Sequence, residues 1–228
     1  MHYLGILREV LKTWLKILLR RGMFISFSQF GEDAILHALH RSSKGFYIDV
    51  GAYHPTLYSN TFAFYRLGWK GIVIDPNSQM KSLFKVLRPR DRFIECAIGT
   101  KQDTATYYEY RDAAYNSLSP EQVALVSKTK GISPRSNRPV PVLSLAELVA
   151  KFGVTNIDLL SVDVEGLDLL VLESHDWNIR PYMIVVEDHD FLLTNASASP
   201  VCDYLFAKDY ALVGLSGLSI IFKDTTLK

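Results

Sequence analysis

The stretch Phe46-Tyr47-Ile48-Asp49-Val50-Gly51 (FYIDVG, 46–51) decides the fold, because it is a short apolar run that stops at an acid and a glycine. A run this short, apolar on both faces and bounded by a glycine, reads as a buried strand of a parallel sheet. The pattern recurs along the chain. Gly71–Pro76 ends in Asp75, with Pro76 stopping it, and Phe93–Ile98 ends at Gly99. Ile157–Val164 closes in Asp163-Val164-Glu165-Gly166, and Tyr182–Val186 runs into Glu187-Asp188-His189-Asp190. Helices are expected between them: one capped by Ser28 and running through Glu32, Ile35, Leu36 and Leu39, then about 57–67, 78–87 and 145–152. Thr104–Tyr110 alternates like a strand, and residues 112–141, with Pro134, Pro139 and Pro141, read as a loop. Tyr210–Leu215 and Leu218–Phe222 flank Ser216-Gly217 as a terminal hairpin. Such alternation predicts an α/β fold, a mostly parallel sheet with helices on both faces and an antiparallel strand at its end.

Composition narrows the function. The chain has 228 residues, 48% hydrophobic and 21% charged, which suits one globular domain and excludes a disordered, collagen-like or coiled-coil chain. A net charge of +1 supplies no basic excess to hold a nucleic-acid backbone, so no nucleic-acid partner is expected. Cys96 and Cys202 are too few for a disulfide framework or a four-thiolate zinc site, and they read as buried thiols of a reduced, cytoplasmic protein. The charge is uneven, however. Residues 1–21 carry +4 and the remainder −3. Leu4, Leu7, Leu11, Trp14, Leu15 and Leu18 fall at helical spacing, with the basic residues largely off that stripe. Charges interrupt it too often for a membrane span or a signal peptide. Three readings stay open for residues 3–21: peripheral contact with the inner face of a membrane, self-association, or packing on its own domain. The chain thus divides into an amphipathic basic helix, 1–25, and a domain, 26–228.

Ligands of open parallel sheets bind outside the carboxyl ends of the strands, so the acids that end the runs are site candidates. Gly51 lets the first turn approach a ligand closely. It does not open a dinucleotide fingerprint, because Tyr53 and Thr56 stand where further glycines are needed, and the P-loop lysine is missing as well. Asp75, 26 residues after Asp49, suits two ribose hydroxyls, with a helix cap as the bland alternative. Alternation puts Asp163 and Glu165 on one side, as a general base or metal ligand; here too an N-cap is the plainer reading. Glu187, Asp188 and Asp190 repel one another unless something neutralises them, and hard cations take such oxygens. His189 is a candidate base, its ordinary pKa of ~6.5 suiting proton transfer near neutrality, and His54 competes with it.

The segments SQFGEDAIL (28–36), FYIDVGAYHP (46–55), SNTFAFYRLGWKGIVIDPN (59–77), AIG (97–99) and LLSVDVEGLDLLVL (159–172) together resemble the FkbM family of S-adenosylmethionine-dependent methyltransferases, over roughly residues 26–190. The resemblance implies a class I methyltransferase (Rossmann-like) fold with a seven-stranded sheet. It places Asp49, Gly51 and Ala52, with Tyr53 and His54 in the same turn, along the methionine part of S-adenosylmethionine. Asp75 would hold the ribose, with Pro76 and Asn77 beside it, and Ala97 and Ile98 would flank the adenine. Gln29, Ser59 and Asn60 would reach the amino-acid end, and Asp163 would abut the transferring methyl group. Asp163, Glu187 and Asp188 resemble the Mg²⁺ triad of macrolide-sugar O-methyltransferases. The implied activity is O-methylation of a small-molecule or glycan-type acceptor, with Glu165, His189 or Asp163 as catalytic groups. The 112–141 loop would bind the acceptor, through Tyr115-Asn116-Ser117 or through Arg135 and Arg138 if it is anionic. Two rivals are a nicotinamide dehydrogenase, opposed by the missing glycines, and a non-catalytic membrane-docked module, opposed by the intact acids.

Overall fold

The backbone of β1 (Phe46–Val50) alternates its side chains between two apolar layers, Ile48 and Val50 into one and Tyr47 into the other. The computed structural model describes residues 8–12, 14–15, 24–100, 103–189, 191–196 and 199–227. Within these, β2 (Lys70–Ile74), β3 (Arg92–Ile94), β7 (Ile157–Val162), β8 (Pro181–Glu187), β9 (Tyr210–Ser216) and β10 (Ser219–Asp224) complete a seven-stranded sheet. Its order is β3-β2-β1-β7-β8-β10-β9, and β10 runs antiparallel to β8 and β9. The first layer receives Leu145 and Leu148 of α5 (Leu145–Lys151), Val171 and Leu172 of α6 (Asp168–Glu173), and Cys202 and Leu205 of α7 (Pro200–Phe206). The second receives Leu36 of α1 (Glu32–Leu39), Phe64 of α2 (Phe62–Arg66) and Phe84 of α3 (Met80–Leu87). The expected α/β sheet, covered on both faces, is therefore present. Strand order reverses between β1 and β7, and a crevice opens at the carboxyl ends of those two strands.

Two expected segments fold differently. The run Phe93–Ile98 is two strands: β3 stays in the main sheet, and β4 (Ala97–Ile98) joins a second, three-stranded sheet of order β4-β6-β5. Residues 112–141 are not a loop. They hold a 3-10 turn (Ala113–Tyr115), helix α4 (Pro120–Lys130) and most of β6 (Ser136–Leu143), which pairs antiparallel with β5 (Asp103–Glu109). Helix α4 carries complete end signals: Ser119 accepts the Gln122 amide, Pro120 opens the first turn, and Gly131 closes the last at φ 68°. It is hard to read because only Val126 of its eleven residues is buried, so no apolar stripe marks it. Pro139 and Pro141 are tolerated in β6 because β4 pairs only at Val142 and Leu143, leaving one edge of β6 open along the prolines.

Of the expected N-terminal helix, residues 8–12 and 14–15 are helical, and the rest lies outside the described residues. Of the apolar positions in view, Leu11, Trp14 and Leu15 are all more than half exposed. Among the described residues no helix is long and apolar enough to cross a membrane.

Candidate functional site

The first turn is built by backbone. Beyond β1, the amides of Gly51 and Ala52 both donate to the Ile74 carbonyl of β2, at 2.9 and 3.1 Å. Gly51 adopts φ 80° and Tyr53 φ 45°, a left-handed pair that folds the chain back over the ends of β1 and β2. This aims the Tyr53 amide at Asp75, where it donates to Oδ2 at 2.8 Å; the Asn77 amide donates to Oδ1 at 2.7 Å. Each carboxylate oxygen is fixed by one amide and keeps acceptor capacity for a ligand. Burial pushes the Asp75 carboxyl above its ordinary value, and the two amides pull against that shift. Asp75 faces a cavity of about 390 Å³, within the usual size of small-molecule sites.

Acids converge on the opposite wall. Asp163 and Glu165 line the same cavity as Asp75, Gly51 and Gln29. The alternation argument for this pair does not apply, because β7 ends at Val162 and Glu165 turns at φ 56°. They share the site because Asp168, which sequence reasoning missed, holds the turn: its carboxylate accepts the Val164 amide at 3.1 Å and the Gly166 amide at 3.0 Å. Asp168 is buried, and burial pushes its carboxyl up to about 6. Asp163 is pushed well above the usual carboxylate range, by burial first and then by Glu187, with which it shares a hydrogen bond. Burial also raises Glu165, with Glu187 adding to the shift and His189 opposing it.

Ligand atoms of Glu165, Glu187 and His189 lie within 4.8 Å of one another, the set that could hold a cation among the described residues. The His189 Nε2 stands 3.3 Å from a Glu187 oxygen. Asp188 is not brought in: its buried carboxylate takes the Ser199 hydroxyl that caps α7. Asp190 lies outside the described residues.

Other candidates stand behind or beside the cavity. The Asp49 carboxylate is buried beneath it and accepts the Thr61 hydroxyl at 2.5 Å. Arg88, fully buried, neutralises this layer: it donates to Asp91 at 2.6 Å, to Thr61 at 2.9 Å and to Tyr47 at 3.0 Å. Ser59 accepts from Arg88 and from the Phe62 amide, and Asn60 donates to Ser161 at 3.3 Å. His54 Nδ1 accepts the Thr56 and Leu57 amides, so its ring shapes the turn. Ala52, Ala97 and Ile98 are buried and outside the lining, whereas Tyr53, Pro76 and Asn77 are in it.

The 112–141 region does reach the cavity, through Ala113, Ala114, Asn116, Ser117 and Leu118. Tyr107 of β5 also lines it and accepts from Asn116 Nδ2 at 2.9 Å; nothing in the local pattern of β5 marks this residue. Arg138 is a clamp between the sheets. It donates to the Pro76 carbonyl and pairs with Glu95 and Glu109, each at 3.5 Å. Arg135 is exposed.

Residues 49–212, more than two thirds of the chain, match the family described as the methyltransferase FkbM domain. Among curated proteins, none matches the chain. Among solved structures, the chain is similar to the crystal structure of methyltransferase FkbM from Methylobacillus flagellatus KT, with a TM-score of 0.53 and 12% sequence identity. The likeness covers 83% of this chain and 47% of that one, so this chain spans about half the length of that protein. At this identity it is a likeness of fold.

Proposed function

The chain belongs to the FkbM methyltransferase family, and on that basis we propose that it moves the methyl group of S-adenosylmethionine to a hydroxyl oxygen of a sugar or glycan-type acceptor. The observation that carries this reading is a single cavity with a fixed carboxylate on one wall, Asp75, and a cluster of acids on the other. S-adenosylmethionine supplies an electrophilic methyl group on a cationic sulfur. The lining suits it. Asp75 offers two oriented oxygens to a ribose diol, Gly51 lines the same cavity, and Asp163 and Glu165 lie where positive charge is welcome.

An alcohol is a weak nucleophile at neutral pH, so its proton must leave as the methyl arrives. Asp163 is a poor base, since burial keeps its proton on and Glu187 accepts the hydrogen bond. Glu165 is the better base. It lines the cavity, its carboxyl is raised toward neutrality, and Gln122 Nε2 contacts it at 3.4 Å. His189 stands half exposed against Glu187, its Nε2 3.3 Å from a carboxylate oxygen. The chief work of the protein is alignment: Asp168 and Gly51 fix the two abutting turns beside which donor and acceptor would meet. A divalent cation fits Glu165, Glu187 and His189 by donor type and spacing, and would acidify a bound hydroxyl.

Calorimetry separates the donors. S-adenosylmethionine should bind in the micromolar range and NAD should not; the reverse result refutes the cofactor assignment. Transfer of labelled methyl to a panel of hydroxylated and aminated sugars then tests the acceptor, and label found only on nitrogen or carbon refutes O-methylation.

A further inference from the structure

We propose that the chain docks on an anionic lipid bilayer through the helical residues 8–12 and 14–15, with the carboxyl-end rim of the sheet turned toward the same surface. Val10, Leu11, Trp14 and Leu15 are 45%, 62%, 65% and 54% exposed. At ~100° per residue they cover an arc of about 140°, and Arg8, Glu9 and Lys12 fall outside it. An arc this wide is normally a helix's buried face, yet here the domain does not cover it. Its occupant is indicated by charge. The first 21 residues carry +4 while the rest of the chain carries −3. A second copy would bring its own +4 over residues 1–21 against the first, whereas an anionic headgroup layer attracts that charge, at about 1 kcal/mol per basic residue. Trp14 suits the interface, with an apolar ring and one polar N–H.

The mouth of the cavity carries a matching feature. Tyr58, 65% exposed, lines the cavity beside Leu57, 57% exposed, in the segment after β1. Leu192 and Leu193, 59% and 74% exposed, follow β8. Leu218, 41% exposed, caps the β9–β10 hairpin, whose tip lies beside Glu187 and Asp188. Phe30, 52% exposed, packs on that tip, its carbonyl accepting Ser216 Oγ at 2.6 Å. All six sit at the end of the sheet where the acids converge. The inference concerns docking alone and holds whichever acceptor is methylated.

Flotation of the full chain with vesicles tests it. The chain should float with phosphatidylcholine vesicles containing phosphatidylserine, and not with phosphatidylcholine alone. Raising salt to about 0.5 M should lower binding severalfold. The combined variant Val10→Ser, Leu11→Ser, Trp14→Ser and Leu15→Ser should lose at least tenfold in bound fraction while keeping its affinity for S-adenosylmethionine. Leu192→Ser with Leu193→Ser should lose severalfold. No flotation on anionic vesicles, or equal flotation of the helix variant, overturns docking; unchanged flotation of the rim variant overturns the orientation. A helix-dependent dimer without flotation assigns the arc to self-association instead.

Discussion

Gly51 and Asp163 meet backbone to backbone: a Cβ built on Gly51 would stand 1.7 Å from the Asp163 carbonyl oxygen. The two turns, which follow the neighbouring strands β1 and β7, are thus in contact through a position only glycine can fill. Gly51→Ala should force the turns apart. The φ of 80° alone costs upward of ~1 kcal/mol for a side chain, and the clash adds to it. The expected result is a lowered Tm and loss of measurable S-adenosylmethionine binding by calorimetry. Wild-type affinity in the variant would show that the turns do not frame the donor.

Asp75 carries the donor assignment. Asp75→Ala removes the acceptor for two amides and for the ribose diol, so binding of S-adenosylmethionine should weaken by about 100-fold, the loss of one to two charge-assisted hydrogen bonds. An analogue lacking the 2′-hydroxyl should bind wild type about tenfold more weakly and bind the variant no worse than the parent compound does. If the analogue loses equally in both proteins, Asp75 does not hold the ribose.

Glu165 is the group on which proton removal rests. Glu165→Gln keeps the size of the side chain and should lower kcat by 10²- to 10⁴-fold, with donor affinity nearly unchanged. A drop in affinity with kcat intact would make Glu165 a binding residue. The same assay run with chelator, then with added Mg²⁺, reads whether Glu165, Glu187 and His189 act through a cation.

How far the sequence reveals this site depends on whether a residue's role is local. The strands of the main sheet were legible because both faces are apolar, and Asp75, Asp163 and Glu165 stood out as acids breaking such runs. Helix α4 left little trace because its packing is one residue wide. Asp168 is hidden inside the apolar string Leu167–Leu172, where it reads as the solvent face of a helix. Arg88 is the plainest case. In Arg88-Pro89-Arg90-Asp91-Arg92 it looks like a surface charge run, and only tertiary folding sinks it among Tyr47, Tyr65 and Phe84.

That burial sets a prediction about stability. Arg88 faces two acids, Asp91 by direct contact and Asp49 through Thr61. Arg88→Met keeps the bulk and removes the charge, leaving buried acids without a cation. Loss of one partner of a buried pair typically costs about 3–5 kcal/mol, roughly a fifth or more of a domain's stability. Denaturant titration should show that loss, and Arg88→Lys should recover only part of it, because a single ammonium cannot span Asp91, Thr61 and Tyr47 together. A loss under ~1 kcal/mol would mean the network is solvated.

The acid cluster makes the fold sensitive to pH in a direction opposite to ordinary acid denaturation. Asp168 titrates at about 6 in the native state, against 3.8 as its ordinary value. Between those values the native chain holds a proton that the unfolded chain has lost, so stability falls as pH rises. For Asp168 the loss is on the order of 3 kcal/mol by pH 7. Asp163, raised by burial and by Glu187, acts with the same sign. Asp163→Asn keeps an N–H for the Glu187 hydrogen bond and cannot ionise. Denaturant midpoints measured from pH 5 to pH 8 should therefore fall less steeply for the variant than for wild type, leaving the variant the more stable of the two at pH 8. Parallel profiles would show that Asp163 is ionised in the native protein and that the cluster is neutralised by some other means.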